Sequence, residues 1–326
     1  MIKGSKAGCL LSALAAVLSV IPAVRGDFGL VQGDYYSSNY FSNVITQYGP
    51  TGAVVGSYTV PSALGSEVRG LAFGSDNLLY ATLSRGSSGF AVVALDGSGM
   101  VHMTYTGSTY VAGNLSYGKI SVDSQYLYVS GQDQLTRFLL GNPASGTTIY
   151  TANQVYDTKP LANGNLFVAS AYKIDEITNT GVFVRTIPLI GDGNFYTDIR
   201  GIEYDPATNS LFVTELGHTG FFDQLMRLDA TTGVLQNNVT FNYADDIFLD
   251  SSGKLLVGSR TQTPAFFSQN LQQAGALGDG QQMFVTQFVP EPATISYLLL
   301  VAAAAVFVRR LRVGQKARSS VLTQTG

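Results

Sequence analysis

Few residues in this chain are equipped for chemistry. It has two histidines, His102 and His218, and one cysteine, Cys9. No Gly-x-Ser-x-Gly elbow is present, so a serine triad would have to use one of those two imidazoles. His102 lies in a strand-like run with apolar neighbours and reads as a packed residue. Glu215-x-x-His218 offers two ligands of mixed type without a third, too few for zinc. Asp245, Asp246 and Asp250 form a denser carboxylate group. Their spacing departs from the Asp-x-Asp-x-Asp-Gly loop and no bidentate Glu follows, so calcium is the secondary reading and no cofactor the primary one. Tyr35, Tyr36, Tyr40 and Phe41 cluster with serines and asparagines outside any alternation. They read as a surface loop, of a type that can also stack on sugar rings.

The remaining charged residues gain meaning from a repeat. Five segments read alike: Val68–Phe73 then Asn77–Ala81, Tyr117–Asp123 then Tyr126–Ser130, Asp157–Leu161 then Asn165–Ala169, Ile199–Asp205 then Ser210–Thr214, and Asp245–Asp250 then Lys254–Gly258. Each is an alternating strand, a polar turn and a second strand. A second hairpin follows in four of the five. Its first strands start near Val92, Thr136, Ile174 and Met226, and its turns include Gly99, Gly141–Gly146, Gly181 and Gly233. Glycine there permits positive φ where the chain reverses. Four strands in about 45 residues is the period of a β-propeller blade.

Gly29–Val60 reads as a partial blade without an innermost strand, and Gln281–Val289 as one isolated strand. A terminal strand completing the first blade would close the ring and remove exposed edges. The expected fold is therefore all-β, a propeller of six four-stranded blades over residues 27–289. Seven blades is the alternative count and a two-sheet sandwich the runner-up fold.

In a propeller, residues before the innermost strands converge on one mouth of the channel. Aligning the repeats gives one ring of Arg69, Gly118, Asp157, Arg200 and Asp245, and a second of Gly70, Lys119, Thr158, Gly201 and Asp246. Arg69, Lys119, Asp157, Arg200, Asp245 and Asp246 are the candidate ligand-binding residues, for a polar ligand such as a sugar or a metal. The competing expectation is that charges of both signs neutralise one another. No catalytic residue is assigned.

Composition agrees with strands and tight turns: 36 Gly, 18 Tyr, 18 Phe and no Trp among 326 residues. Most of the aromatics fall at inward strand positions and read as core. Of the 19 basic residues, eight lie in the two terminal segments, whereas 21 of the 22 acidic residues lie in 27–290. The body therefore carries about ten negative charges in excess, which disfavours sequence-independent nucleic-acid binding.

The two ends read as addresses. Residues 1–26 have a basic start with Lys3 and Lys6, an apolar run from Gly8 to Val24, and Val24-Arg25-Gly26 before a cleavage point. This is the pattern of a secretory signal peptide, whose removal would take Cys9 with it. At the other end Pro290-Glu291-Pro292 precedes an apolar stretch over about 293–308, then Arg309, Arg310 and Arg312, with a tail at 313–326. The stretch is a short membrane helix whose arginines stay cytoplasmic.

That arrangement over 289–312 resembles the PEP-CTERM sorting signal of exported proteins from Gram-negative bacteria that make extracellular polysaccharide. The resemblance implies an exosortase as partner, a transient inner-membrane stage, and delivery to the envelope, surface or matrix. The chain departs from it by continuing 14 residues past Arg312. An ordinary single-span anchor is the alternative.

The body, especially Ile199–Pro206 with Asn209–Val213, resembles propellers of the NHL, YVTN and gluconolactonase-like kinds. That resemblance implies architecture rather than activity, because propellers host binders, scaffolds and enzymes alike. The leading functional expectation is a non-catalytic exported propeller that binds or scaffolds envelope or polysaccharide components. The alternatives are a metal-dependent lactonase-like hydrolase and a purely structural envelope protein. The aligned ring does not assemble the Glu, Asn and Asp set that a lactonase-like metal site would need.

Overall fold

The computed structural model describes residues 28–39, 41–85, 89–106, 118–189, 198–217, 223–278 and 280–289. The expected signal peptide (1–26), sorting segment (290–312) and tail (313–326) lie outside the described residues, as do Tyr40 and His218. Among the described residues there is no helix, and hence none long and apolar enough to cross a membrane.

The chain forms six four-stranded antiparallel sheets. The first three strands, β1 (Tyr35–Ser38), β2 (Val44–Tyr48) and β3 (Val54–Thr59), belong to blade VI. Blade I holds β4 (Glu67–Phe73), β5 (Leu79–Ser84), β6 (Phe90–Leu95) and β7 (Val101–Thr106). Blade II holds β8 (Ile120–Val122), β9 (Tyr126–Ser130), β10 (Gln134–Leu139) and β11 (Asn142–Thr151). Blade III holds β12 (Val155–Pro160), β13 (Asn165–Ser170), β14 (Lys173–Thr178) and β15 (Phe183–Ile187). Blade IV holds β16 (Ile199–Asp205), β17 (Ser210–Glu215), β18 (Gln224–Asp229) and β19 (Leu235–Thr240). Blade V holds β20 (Ala244–Leu249), β21 (Leu255–Ser259), β22 (Ala265–Phe267) and β23 (Gln273–Ala276). The last strand, β24 (Phe284–Gln287), returns to pair with β1 as the innermost strand of blade VI.

The ring is closed. The innermost strands touch in the cycle β4, β8, β12, β16, β20, β24 and back to β4. The core is divided in the same way, into six clusters of buried apolar residues, one at each interface between blades. Between blades III and IV, for example, Phe167, Ala169 and Ile174 meet Ile202, Leu211 and Val213. Each blade thus has two apolar faces, and no blade can bury both of them alone. Closure satisfies both faces of every blade, which settles the number at six rather than seven and excludes the sandwich.

The turns explain much of the acidic excess. Asp96 Oδ1 accepts from the Ser98 and Met100 N–H groups, and Gly99 completes that turn at φ 76°. Asp229 caps the matching turn of blade IV through Thr231 and Thr232, with Gly233 at φ 71°. The Ser98 hydroxyl, followed by the Ser98 and Met100 amides, holds the Asp96 carboxyl below its ordinary pKa, and the Thr232 amide, followed by the Thr232 hydroxyl, does the same for Asp229. Asp76, Asp123, Asp205 and Asp250 cap the turns between first and second strands of their blades. In blades I and II the capping Asp also accepts from a core tyrosine, Tyr80 to Asp76 at 2.6 Å and Tyr128 to Asp123 at 2.7 Å.

Several sequence expectations need correction. The fifth repeat does have a second hairpin, in β22 and β23, though both strands are short. The stretch Gly141–Gly146 is not one long turn, because β11 already begins at Asn142 and pairs through a bulge. The strands of the partial blade expected over Gly29–Val60 begin only at Tyr35, since Gly33 turns the chain at φ 86° just before it. Tyr35 and Tyr36 are core residues and not a loop; their hydroxyls bond Asp250 Oδ2 at 3.0 Å and the Gly29 carbonyl at 2.7 Å. His102 is exposed on β7 rather than packed.

Candidate functional site at the propeller axis

Four innermost strands carry a bulge at the same place. The pairing registers skip Arg69 in β4, Tyr156 in β12, Arg200 in β16 and Asp245 in β20. A bulge puts two residues opposite one and re-aims the side chains around it. The register also fixes which residues are equivalent. The positions after the bulges are Gly70, Asp157, Gly201 and Asp246, with Lys119 as the equivalent in blade II and Phe284 in blade VI. The sequence alignment was therefore out of phase in blade III. Asp157 belongs with Lys119 and Asp246, and the bulged residue there is Tyr156.

This ring converges on Lys119. Its ammonium, on blade II, lies 2.9 Å from Asp246 Oδ1 on blade V and 3.4 Å from Asp157 Oδ2 on blade III. It also donates to the Arg200 carbonyl at 2.7 Å and to the Asp245 carbonyl. Gly201 leaves the room for this, since a Cβ there would sit 3.1 Å from Lys119 Nζ. The two carboxylates have further partners. Asp157 accepts from the Ile202 N–H of the next blade at 3.0 Å, and Asp246 from the Val285 N–H of its next blade, also at 3.0 Å.

Lys119 is buried, with 5% of its surface exposed. Burial pulls its pKa down, but Asp157 and Asp246 outweigh burial and leave it above the ordinary lysine value. Asp157 moves the other way from a typical ion-paired carboxyl. Its burial dominates over the attraction of Lys119, the nearby Asp246 adds to the rise, and its pKa is pushed up to about 6.

The other candidates sit beside this centre and pair locally. Arg69 bonds Glu67. Arg200 bonds Asp198 Oδ2 at 3.0 Å and stacks over the Tyr156 ring at 4.7 Å. Tyr156 in turn bonds Asp198 Oδ1 at 2.7 Å. Asp245 takes a two-pronged contact from Arg260, at 2.7 and 2.6 Å. Of the six sequence candidates, the structure unites Lys119, Asp157 and Asp246 through side chains. Arg200 and Asp245 join them only through their carbonyls.

A cavity of about 240 Å³ lies along the axis. Lys119, Asp157 and Asp246 line it, whereas Arg69, Arg200 and Asp245 do not. Its other walls come from the later parts of the innermost strands, out to Phe73, Pro160 and Phe248. The space therefore lies on the far side of Lys119 from the strand starts. Two of its charged residues escaped the sequence reading: Lys159 pairs with the buried Glu203 at 2.5 Å. The available signal was a Glu between Ile202 and Tyr204 in an inner strand otherwise rich in apolar residues.

Asp245, Asp246 and Asp250 do not form a joint metal site. They serve Arg260, Lys119 and the Ser252–Lys254 turn respectively. Among the described residues no three His, Cys, Asp or Glu side chains converge in a way that would hold a metal ion.

No protein-family model and no curated protein matches this chain. Solved structures do. A protein of unknown function from Bacteroides caccae aligns with a TM-score of 0.56 at 12% identity, over 78% of this chain and 98% of its own. A chain in a nidogen–laminin complex aligns with a TM-score of 0.60 at 10% identity, over 79% of this chain and 99% of its own. At such identities the likeness establishes the β-propeller fold.

Proposed function

We propose that this chain is an exported, non-catalytic propeller that binds or scaffolds components of the cell envelope or its polysaccharide matrix. The observation that carries the non-catalytic part is the state of the axial charges. Lys119, Asp157 and Asp246 spend their hydrogen-bonding capacity on one another and on backbone groups. A general acid or base needs a proton exchangeable with substrate, and a nucleophile needs an adjacent base. Asp157 and Asp246 are each tied to Lys119 and to a backbone N–H of the next blade, which supports a holding role over proton exchange with a substrate. The export part rests on the terminal segments, whose pattern resembles a signal peptide and a PEP-CTERM signal read by an exosortase.

Two measurements test the reading. A glycan array probed with the full-length chain should return binding to a subset of glycans. A panel of lactones, with and without chelator, should show no hydrolysis above background. Chelator-sensitive turnover would overturn the reading in favour of a metal-dependent hydrolase. An empty array would leave a structural envelope protein instead.

A further inference from the structure

The chain enters and leaves the ring on one face. Every innermost strand runs from the strand starts near Arg69 and Arg200 toward the cavity. The turns between first and second strands, and those between third and fourth strands, therefore share the cavity face. Val289 follows the innermost strand β24 and lines the cavity there, so the chain emerges beside the axis and not at the rim. Phe28 lies on the same face. Just after it, the Leu30 N–H donates to the Gly97 carbonyl in the outer hairpin turn of blade I, and the Gly33 N–H to the Phe288 carbonyl.

Only residues 290–292 separate Val289 from the apolar stretch that reads as a membrane helix over about 293–308. The four steps from Val289 to Ala293 reach about 13–14 Å when fully extended. The headgroup layer takes about 5–7 Å of that, half the difference between the total and hydrocarbon thicknesses of a bilayer. Val289 is thereby held within roughly 9 Å of the lipid surface. Standing on its rim would demand more. The outermost strand of a blade lies three strand spacings, about 14 Å, farther from the axis than the innermost one. The opposite mouth is about 20 Å away along a six-residue inner strand such as β12. Of the three attitudes, only the one with the cavity face down fits the tether.

The side chains of this face agree. Exposed large apolar residues gather at its outer hairpin turns: Val54 in blade VI, Met100 in blade I, Leu139 in blade II, Val182 and Phe183 in blade III, and Val234 in blade IV. Among the described residues, those at the opposite mouth are Phe41, Tyr172 and Tyr243. Single exposed apolar residues are ordinary on a surface; their gathering on one face marks an interaction surface. The carboxylates of the face, such as Asp96, Asp229 and Asp250, fold back on their own turn amides. Lys254 is the one lysine or arginine among its described turn residues.

We propose that, while the C-terminal segment is in the membrane, the propeller stands with its cavity face against the bilayer, the apolar hairpin turns at headgroup level and the cavity opening turned toward the lipid. The mouth that carries Arg69 and Arg200 faces away and is the side open to partners. This rests on the reading of 293–308 as a membrane helix. The contact is apolar rather than electrostatic, because the face has no basic cluster to hold anionic lipid.

The test uses the full-length chain with Cys9→Ser, reconstituted into phosphatidylcholine vesicles that contain nitroxide-headgroup lipid. A fluorophore is attached through Met100→Cys or Val182→Cys on the cavity face, or through Phe41→Cys or Tyr172→Cys at the opposite mouth. The dyes on Met100→Cys and Val182→Cys should lose most of their emission, whereas those on Phe41→Cys and Tyr172→Cys, about 20 Å farther off, should keep it. The contrast should persist in high salt. It should shrink when a flexible segment of about twelve residues is inserted after Pro292 together with Phe183→Ser and Val234→Ser. Equal quenching at all four sites in vesicle-bound protein overturns the proposal and leaves the membrane helix standing, and stronger quenching at the opposite mouth does the same. Protein that fails to float with the vesicles overturns the helix reading and this proposal with it. A contrast abolished by salt overturns the apolar contact in favour of charge.

Discussion

Lys119 Nζ and Asp246 Oδ1 lie 2.9 Å apart although they come from opposite blades of the ring. The contact crosses the propeller axis. It ties blade II to blade V, and through Asp157 to blade III, at a point where no strand pairing is available. The ion pair is buried, so its worth depends on both members being present.

Replacing Lys119 with Met should therefore destabilise strongly. It removes the charge but roughly keeps the volume, and it strands two carboxylates among buried groups. The expected loss is about 3–5 kcal/mol in denaturant unfolding. Adding Asp246→Asn should recover part of that loss. A single Lys119→Met variant as stable as the parent would show that the pair is not a structural tie.

Asp157 should leave a signature in the pH dependence. Its folded pKa is about 6, above the unfolded value near 3.8. Between those two values the folded state holds more proton than the unfolded one, so this group's contribution to stability falls as pH rises from about 4 to 6. Asp175 and Glu176 act in the opposite sense. Despite the opposing effect of burial, hydrogen bonds from Lys173 and Arg185 keep them below their ordinary values, and their contribution is lost on acidification. The informative quantity is thus the difference between parent and Asp157→Asn. That difference should change across pH 4 to 6, and a flat difference curve would contradict the assignment.

Removing residues 281–289 deletes the innermost strand of blade VI. β1 would lose its partner over Tyr35–Ser38, and Val285 would leave the blade V–VI core. The variant should lose cooperative unfolding or elute as aggregate in size-exclusion chromatography. An unchanged melting curve would mean the ring closes without it.

Arg200→Ala should cost about 1–3 kcal/mol in thermal or denaturant unfolding. The side chain bonds a partly exposed Asp198 and stacks on Tyr156, so its loss strands less charge than loss of Lys119 does. Anything bound in the axial cavity should still bind, because Arg200 does not line it. Loss of binding with unchanged stability would place the site at the strand starts.

The C-terminal segment should be absent from the exported protein. Intact-mass measurement of material from the envelope or medium should give a species lacking Arg309–Gly326. A mature form that keeps these residues would favour a permanent anchor.

The architecture was legible because a propeller writes itself into sequence as a period. Alternating strands such as Ile199–Asp205 and Ser210–Glu215, with Asp and Gly turns between them, need only local chemistry to be recognised. The missing inner strand at one end and the spare strand at the other even pointed to closure. Radial symmetry also let the sequence gather charged residues near the axis, Lys119 and Asp246 in one ring, but it set Asp157 one position out of phase with them. The tertiary structure alone decided the rest. A bulge at Tyr156 adds one residue without any local signal, so the phase of blade III could only come from the hydrogen-bond register. Whether Lys119 meets a ligand or a carboxylate depends on side chains from blades II, III and V packing around one axis, and on Gly201 leaving space for it. The side of that lysine on which the cavity opens follows from three-dimensional packing between segments far apart in the chain.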